Sequence, residues 1–411
     1  MSYQLGGMAA AAFNESGTLY LTGALDTQAL ETAWEQVIGR HDALRLRFAP
    51  NGASFEVTDP APLDIALHDL SGDADPKAAL AALIAEDGAL PFDLTVDRPI
   101  RLTLVTLAQD HHALVITAHH LVADGWSFGV ILDDFAALYG AAKTATPAHL
   151  PPAPSFAALA VEEAAKGVDP SVQAYWTAQH TPPTPLPDLP ADRPRPGIRS
   201  YAGDTVFSEI DAPLIQALRK AGAAQKCTLF VTTFAAMQIL VHRLSGAQDF
   251  AIGVPTAAQQ NLPNPSLVGH CVNFLPIRCT IAEGARLGPQ LQAARSTINA
   301  ALDHQDTTFG SIVQALDLPR QLNRLPLTEI EFNLEQGGTI DPAGGLDLRF
   351  EANAKRAVNF DLFFNLVVTE TGLRIEAHFN ADLFDAARIQ SWVQSYEAIL
   401  EAIVADAEQP V

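Results

Sequence analysis

The chain has 411 residues and a mass of 43.8 kDa, which predicts two domains or one large two-lobed unit with ample length to bury a core. A hydrophobic share of 48% argues against disorder, and no run approaches the roughly 20 apolar residues of a membrane helix. A formal charge of −22 opposes nucleic acid and anionic membranes as partners, so docking to an acidic protein would need a local basic or apolar patch.

The N-terminus lacks the basic region and long apolar core of a secretory signal. Cys227, Cys271 and Cys279 include no CxxC pair and form no disulfide framework, so the predicted compartment is the reducing cytoplasm. After a strand-like Leu19-Tyr20-Leu21-Thr22, Asp26 is placed to cap a helix whose Leu30, Trp34, Val37 and Ile38 share one face. In RHDALRLRF (40–48), Leu44, Leu46 and Phe48 alternate with Arg45 and Arg47, the pattern of a half-buried strand. That leaves two readings: both arginines solvated, or one turned inward to a partner.

PFDLTVDRPIRLTLVTL (91–107) leads into a strand, AQDHH (108–112) is a turn, and Val115, Ile116 and Thr117 open the next strand, which predicts an antiparallel hairpin. His111 and His112 lie in that polar turn and read as surface residues. The second strand breaks at His119-His120, passes Asp124-Gly125 and hands over to a helix from Ser127. Phe128, Ile131, Leu132, Phe135 and Leu138 form the core stripe of that helix.

Proline density rises at 146–154 and again at 181–196, the composition of an extended, semi-rigid connection. The predicted division is a first lobe over 1–175, a linker over 176–200 and a second lobe over 201–411. In the second lobe a strand at 204–210 precedes a helix capped by Asp211, with Pro213 in its first turn. A long apolar helix follows from Thr228 to Leu244, closed by Gly246, with strands at 249–254, 328–334 and 359–368. Mixed elements in two comparable halves predict an α/β two-lobed architecture.

HHLVADG (119–125) carries the chemistry. Neighbours on an extended backbone point to opposite sides, so His119 and His120 cannot both face one cavity. An ordinary histidine pKa of about 6.5 suits a general base near neutrality. Asp124 sits at a helix N-terminus, where a carboxylate is favoured and can anchor an arginine, and Gly125 leaves room beside the backbone. The residues alone leave three readings open: catalysis, core histidines with a capping aspartate, or a metal site, although no third ligand cluster stands out.

HHLVADGWS resembles the HHxxxDG signature of the condensation domains of nonribosomal peptide synthetases, relatives of chloramphenicol acetyltransferase. Other stretches resemble that family's motifs in the family's order: RHDALRLRF, PFDLTVDRPIR, IGVPTAAQQ, LVGHCVNFLPIR (267–278), DHQDTTFGSIVQAL (303–316), PLTEIEFNL (326–334), VNFDLFFNLVV and HFNADLFD (378–385). The resemblance spans nearly the whole chain, and its wording is most like the subtype that joins an L-configured donor to an L-aminoacyl acceptor. It implies two acetyltransferase-like lobes in a V with a tunnel between them. Donor and acceptor carrier proteins would deliver substrates there on 4'-phosphopantetheine arms, with neighbouring adenylation or polyketide synthase modules loading them. The implied activity is an acyltransferase that forms an amide, with no metal and no bound cofactor.

Carried over by resemblance, His120 is the catalytic histidine. His119 and Asp124 support the loop, Asp124 paired with Arg45, while Gly125, Trp126 and Asn273 line the tunnel. AFNES (12–16) follows Met1 by only eleven residues, so the opening helix is expected to be short or missing, as in a truncated or excised piece. Alternatives from other classes are a catalytically silent module that recruits a partner, an ester-forming relative and an epimerization relative.

Overall fold

The computed structural model describes residues 7–319 and 321–411. In chain order the elements are α1 (Gly7–Ala11), β1 (Asn14–Thr22), α2 (Thr27–Arg40), β2 (Leu46–Phe48), β3 (Phe55–Val57), β4 (Ala66–Asp69), α3 (Pro76–Ala89), β5 (Ile100–Ala108), β6 (His111–His119), α4 (Gly125–Thr144), α5 (Phe156–Lys166) and α6 (Pro170–Gln179). There follow β7 (Gly203–Asp211), α7 (Ala212–Ala224), α8 (Leu229–Ser245), β8 (Asp249–Ala257), β9 (Val272–Thr280), α9 (Leu287–Leu302), α10 (Phe309–Leu316), β10 (Ile330–Gln336), β11 (Asp347–Ala352), β12 (Leu362–Val368), β13 (Gly372–Asn380) and α11 (Ala386–Ala405). Among the described residues no single helix is long and apolar enough to cross a membrane.

The chain forms two compact units of mixed α/β structure. The first comprises residues up to Gly167 together with Ala257–Val272 and Gly338–Asn359. Its sheet has the order β11-β1-β6-β5-β4, antiparallel except for the β4/β5 pair. The β5/β6 hairpin is the one its alternation predicts. Asp26 caps α2 through a 3.0 Å bond from the Ala29 amide. The predicted face of α2, Leu30, Trp34, Val37 and Ile38, is buried against the stripe of α4, with Trp34 stacked on Phe135 at 5.1 Å. Full burial of one such side chain stabilises by about 1.5–3 kcal/mol, so this face contributes substantially to the core of the unit.

Two expectations change. Residues 40–48 are not one strand: Asp42–Arg45 is a 3-10 turn and only Leu46–Phe48 is extended. The Asp42 carboxylate accepts from the Phe156 and Ala157 amides at the start of α5, which holds the turn in place. Leu44 and Leu46 are both buried, so the apolar signal was real although its period was misread.

The division at 176–200 also differs from the observed one. The second unit begins at Val168, and β11 from the distal half completes the first sheet as an edge strand on β1. A bare strand edge accepts any chain segment of matching register, whatever its distance in sequence. The seat is shaped by Gly17, where a Cβ would lie 2.0 Å from the Phe350 ring of β11.

The second unit, Val168–Thr256, Asn273–Gly337 and Phe360–Val411, is built on a sheet of order β7-β13-β12-β10-β8-β9. Asp211 caps α7 and Gly246, at φ 71°, closes α8, both as the sequence predicts, while Thr228 caps α8 where the expected helix began. The proline-rich tract at 181–196 belongs to this unit, whereas the one at 146–154 belongs to the first. Trp176 is buried with its Nε1 donating to the His304 carbonyl at 2.8 Å, and Arg195 pairs with Asp361 and Glu329.

Candidate active site

The site begins where β6 ends. On β6, Leu114, Ile116 and Ala118 join the core beneath the helices, whereas Ala113 and Val115 pack on the other face. His119 continues the second set and His120 the first, so the pleat separates the two histidines as the alternation predicts. The turn is pinned by main-chain bonds: the His119 amide donates to the Pro99 carbonyl at 3.0 Å, and the His120 amide to the Phe13 carbonyl at 2.7 Å.

His119 is fully buried. Its Nδ1 accepts from the Leu121 amide at 3.1 Å, and its ring lies between Phe13, stacked at 6.1 Å, and the edge of Phe92 at 6.2 Å. Burial, reinforced by His120 next to it, pushes its pKa down to about 4, so the ring is neutral at pH 7. With Nδ1 accepting, the ring proton sits on Nε2, which is buried without a hydrogen-bond partner among the described residues.

His120 is different. Its Nδ1 lies 2.9 Å from the Ala123 carbonyl; a carbonyl only accepts, so Nδ1 carries the proton and the neutral ring keeps its lone pair on Nε2. The side chain is 29% exposed. Its ring meets His270 edge-on at 4.8 Å, and its Nε2 is 3.7 Å from Glu15 Oε1, an oxygen that also lies 2.7 Å from Lys355 Nζ. His270 is pushed down to about 4, by burial first and then by the facing His120.

Asp124 is fully buried and caps α4, accepting from the Ser127 amide at 2.9 Å, with Ser127 Oγ at 2.7 Å. Its second oxygen accepts from Gln259 Nε2 at 2.8 Å and from the Cys271 amide at 3.0 Å. The expected pairing with Arg45 is therefore corrected. Arg45 sits in the 3-10 turn and its guanidinium donates to the carbonyls of Ile38, Gly39 and Thr58. Main-chain acceptors satisfy it where it emerges, and neutral donors satisfy Asp124.

Ser127 Oγ also accepts from the Gly269 amide at 3.0 Å. A Cβ at Gly269 would lie 2.1 Å from the Phe156 ring, so that segment approaches only because the residue is glycine.

Gly125 is exposed in the first turn of α4. Trp126 is 36% exposed, with its Nε1 donating to the Pro265 carbonyl at 2.7 Å. Asn273 lies in the second unit, where its amide donates to the Gln305 carbonyl at 2.8 Å. Among the described residues no group of three or more histidine, cysteine or acidic side chains is arranged to hold a metal ion, and Asp124 is already occupied by its donors. Cys271 beside it is buried, and burial followed by the Asp124 charge pushes its thiol up to about 12, so it is no nucleophile.

Sequence reading missed Glu15, His270, Gln259 and Lys355. One signal was available for the first. Glu15 is opposite Ala118 in the β1/β6 register, two residues before His120, so both point to the same face of the sheet.

The condensation-domain family model matches residues 5–411. The chain is 31% identical over 402 residues to malpibaldin synthetase of Mortierella alpina, an alignment that takes in 96% of this chain and 7% of that protein. Across such curated relatives it spans between 5% and 10% of their length. The crystal structure of the X-domain from teicoplanin biosynthesis superposes with a TM-score of 0.87 at 26% identity, covering 100% of this chain and 95% of that one. A complex of that X-domain with OxyB superposes at 0.83, also at 26% identity, covering 97% of this chain and 90% of that one.

Proposed function

Because the chain belongs to the condensation-domain family, we propose that it transfers an acyl or peptidyl group from a thioester on one carrier protein to the amine of an aminoacyl thioester on a second. The amine nitrogen attacks the thioester carbonyl, a C–N bond forms and the C–S bond breaks. The nitrogen sheds a proton, and the leaving sulfur takes one up as a thiol. His120 stands between those two proton movements. The observation that carries this reading is the hold on Nδ1: a carbonyl only accepts, so Nδ1–H is fixed on Ala123, and Nε2 of this partly exposed side chain is the nitrogen left to take up a proton.

His119 and Asp124 hold the turn that aims His120, while Gly125 and Trp126, exposed at the start of α4, flank the approach to it. Orientation of two tethered reactants supplies much of the rate, since well-oriented pairs reach effective molarities of about 10⁵ M or more. The 4'-phosphopantetheine arms belong to the carriers and arrive as substrate. The motif wording supports an L-configured donor and an L-aminoacyl acceptor.

The likeness to the X-domain, a protein also solved in complex with OxyB, favours one second reading: a module that recruits a partner and transfers nothing. A single assay separates the two. The purified chain is mixed with an acyl-loaded donor carrier and an aminoacyl-loaded acceptor carrier, and both carriers are weighed by intact-protein mass spectrometry. Condensation moves the acyl mass to the acceptor, and His120→Ala slows that transfer by about 10²-fold or more. Equal rates for parent and variant would overturn the role of His120, and no transfer by either would leave recruitment.

A further inference from the structure

We propose that Glu15 and Lys355 form a charge pair that positions the proton balance of His120, resting on the reading of His120 as the group that takes the amine proton. Glu15 Oε1 is 3.7 Å from His120 Nε2, too far for a hydrogen bond to the resting ring. In the neutral tautomer held by Ala123, Nε2 presents a lone pair to that oxygen and the two have no attraction. Once Nε2 carries a proton, the same carboxylate faces an imidazolium across a short gap and stabilises it. Glu15 thus acts on the state formed during transfer and hardly on the resting state, which is the condition for assisting a reaction rather than tightening ground-state binding.

Lys355 opposes it. Its ammonium is 2.7 Å from the same Glu15 oxygen and offsets part of the carboxylate field at His120. Among the described residues, the titratable groups near the ring also include His119 on the adjoining residue, Asp124 at the cap of α4 and His270 from the segment before β9. The first and last are held neutral near pH 7 by burial, and Asp124 has its oxygens filled by four donors. Glu15 and Lys355 are therefore the neighbours whose removal changes the charge that His120 meets without dismantling the turn.

The two variants are expected to act with opposite sign. Glu15→Gln removes a negative neighbour, so His120 gives up its proton more readily and the acid limb of the kcat/KM profile moves to lower pH. Lys355→Met removes a positive neighbour of that carboxylate and moves the limb to higher pH. Both side chains are about a quarter exposed, so each displacement belongs near the lower end of the effect of a close charge, roughly half to one pH unit. The double variant returns toward the parent.

The test pairs this profile with imidazole ¹⁵N NMR titration of His120 in the full chain, which needs no substrate. Opposite displacements of the two single variants, cancelling in the double variant, support the inference. Displacements of the same sign, or none, in folded variants overturn it, even where His120→Ala abolishes transfer. If the NMR displacements occur while His120→Ala transfers as fast as the parent, the charge pair stands as a property of the ring and the proposed function fails. Should Glu15→Gln fold poorly, Lys355→Met is read alone: a displacement to higher pH supports the inference, and none, or one to lower pH, overturns it.

Discussion

Replacing Asp124 by alanine tests how the loop from His119 to Gly125 is held. The carboxylate is fully buried and meets the Ser127 amide and hydroxyl, Gln259 Nε2 and the Cys271 amide. Losing the cap of α4 costs about 1 kcal/mol. Leaving two further buried donors, on Gln259 and Cys271, without an acceptor costs about 1–3 kcal/mol each. These groups share one cavity and do not simply add, so the expected loss is about 3–5 kcal/mol. For a unit of this size that lowers Tm by about 6–20 °C. Asp124→Asn is expected to lose less, because one carboxamide oxygen keeps the cap and Gln259 can turn its own oxygen, buried without a partner, toward the new NH2. Differential scanning calorimetry of parent, both variants, Arg45→Ala and the Arg45→Ala/Asp124→Ala pair is the assay. Arg45 shares none of these partners, so its effect should add to that of Asp124→Ala within about 0.5 kcal/mol. An unchanged Tm for Asp124→Ala, or strong coupling to Arg45, would refute the reasoning.

Two more outcomes follow from the packing. His119 in the first unit and His180 in the second are buried and held neutral, each pushed down to about 4 from an ordinary value near 6.5. The unfolded chain binds protons first as pH falls, so their contribution is fully present above about pH 6.5 and is lost progressively down to about 4, by up to about 3 kcal/mol for each site. Chemical denaturation across that range should show the slope, and His180→Gln should reduce it in the second unit; a flat profile in the parent would contradict it. Gly17→Ala places a methyl group 2.0 Å from the Phe350 ring and should destabilise by about 1–3 kcal/mol. Phe350→Leu should recover part of that loss in a thermal melt, and equal damage in the double variant would argue against this seat for β11.

Reading the sequence located the turn after β6 and placed its two histidines on opposite faces, as the structure does, because both depend on local rules. The apolar run that makes β6, its alternation and the aspartate that caps α4 all act within a few residues. The same holds for the apolar face of α2 and for the caps of α7 and α8. It failed at 40–48, where three apolar residues fit a strand equally well as a 3-10 turn followed by a short strand, and the choice was made by Asp42 reaching the start of α5.

The partners of each group in this turn were decided elsewhere. Asp124 is satisfied by Gln259 and Cys271, 135 and 147 residues away, a distance over which no local preference operates. His120 meets Glu15 and His270, and Glu15 in turn meets Lys355, because β1 pairs with β6 in one register and because the distal chain returns to the first unit twice, once as the edge strand β11. Sequence by itself determined the family, the turn and the face that His120 presents, since those follow from residue type and pleat. Only the tertiary structure decided which charges surround that histidine, since strand pairing and packing bring together residues whose own propensities never required them to meet.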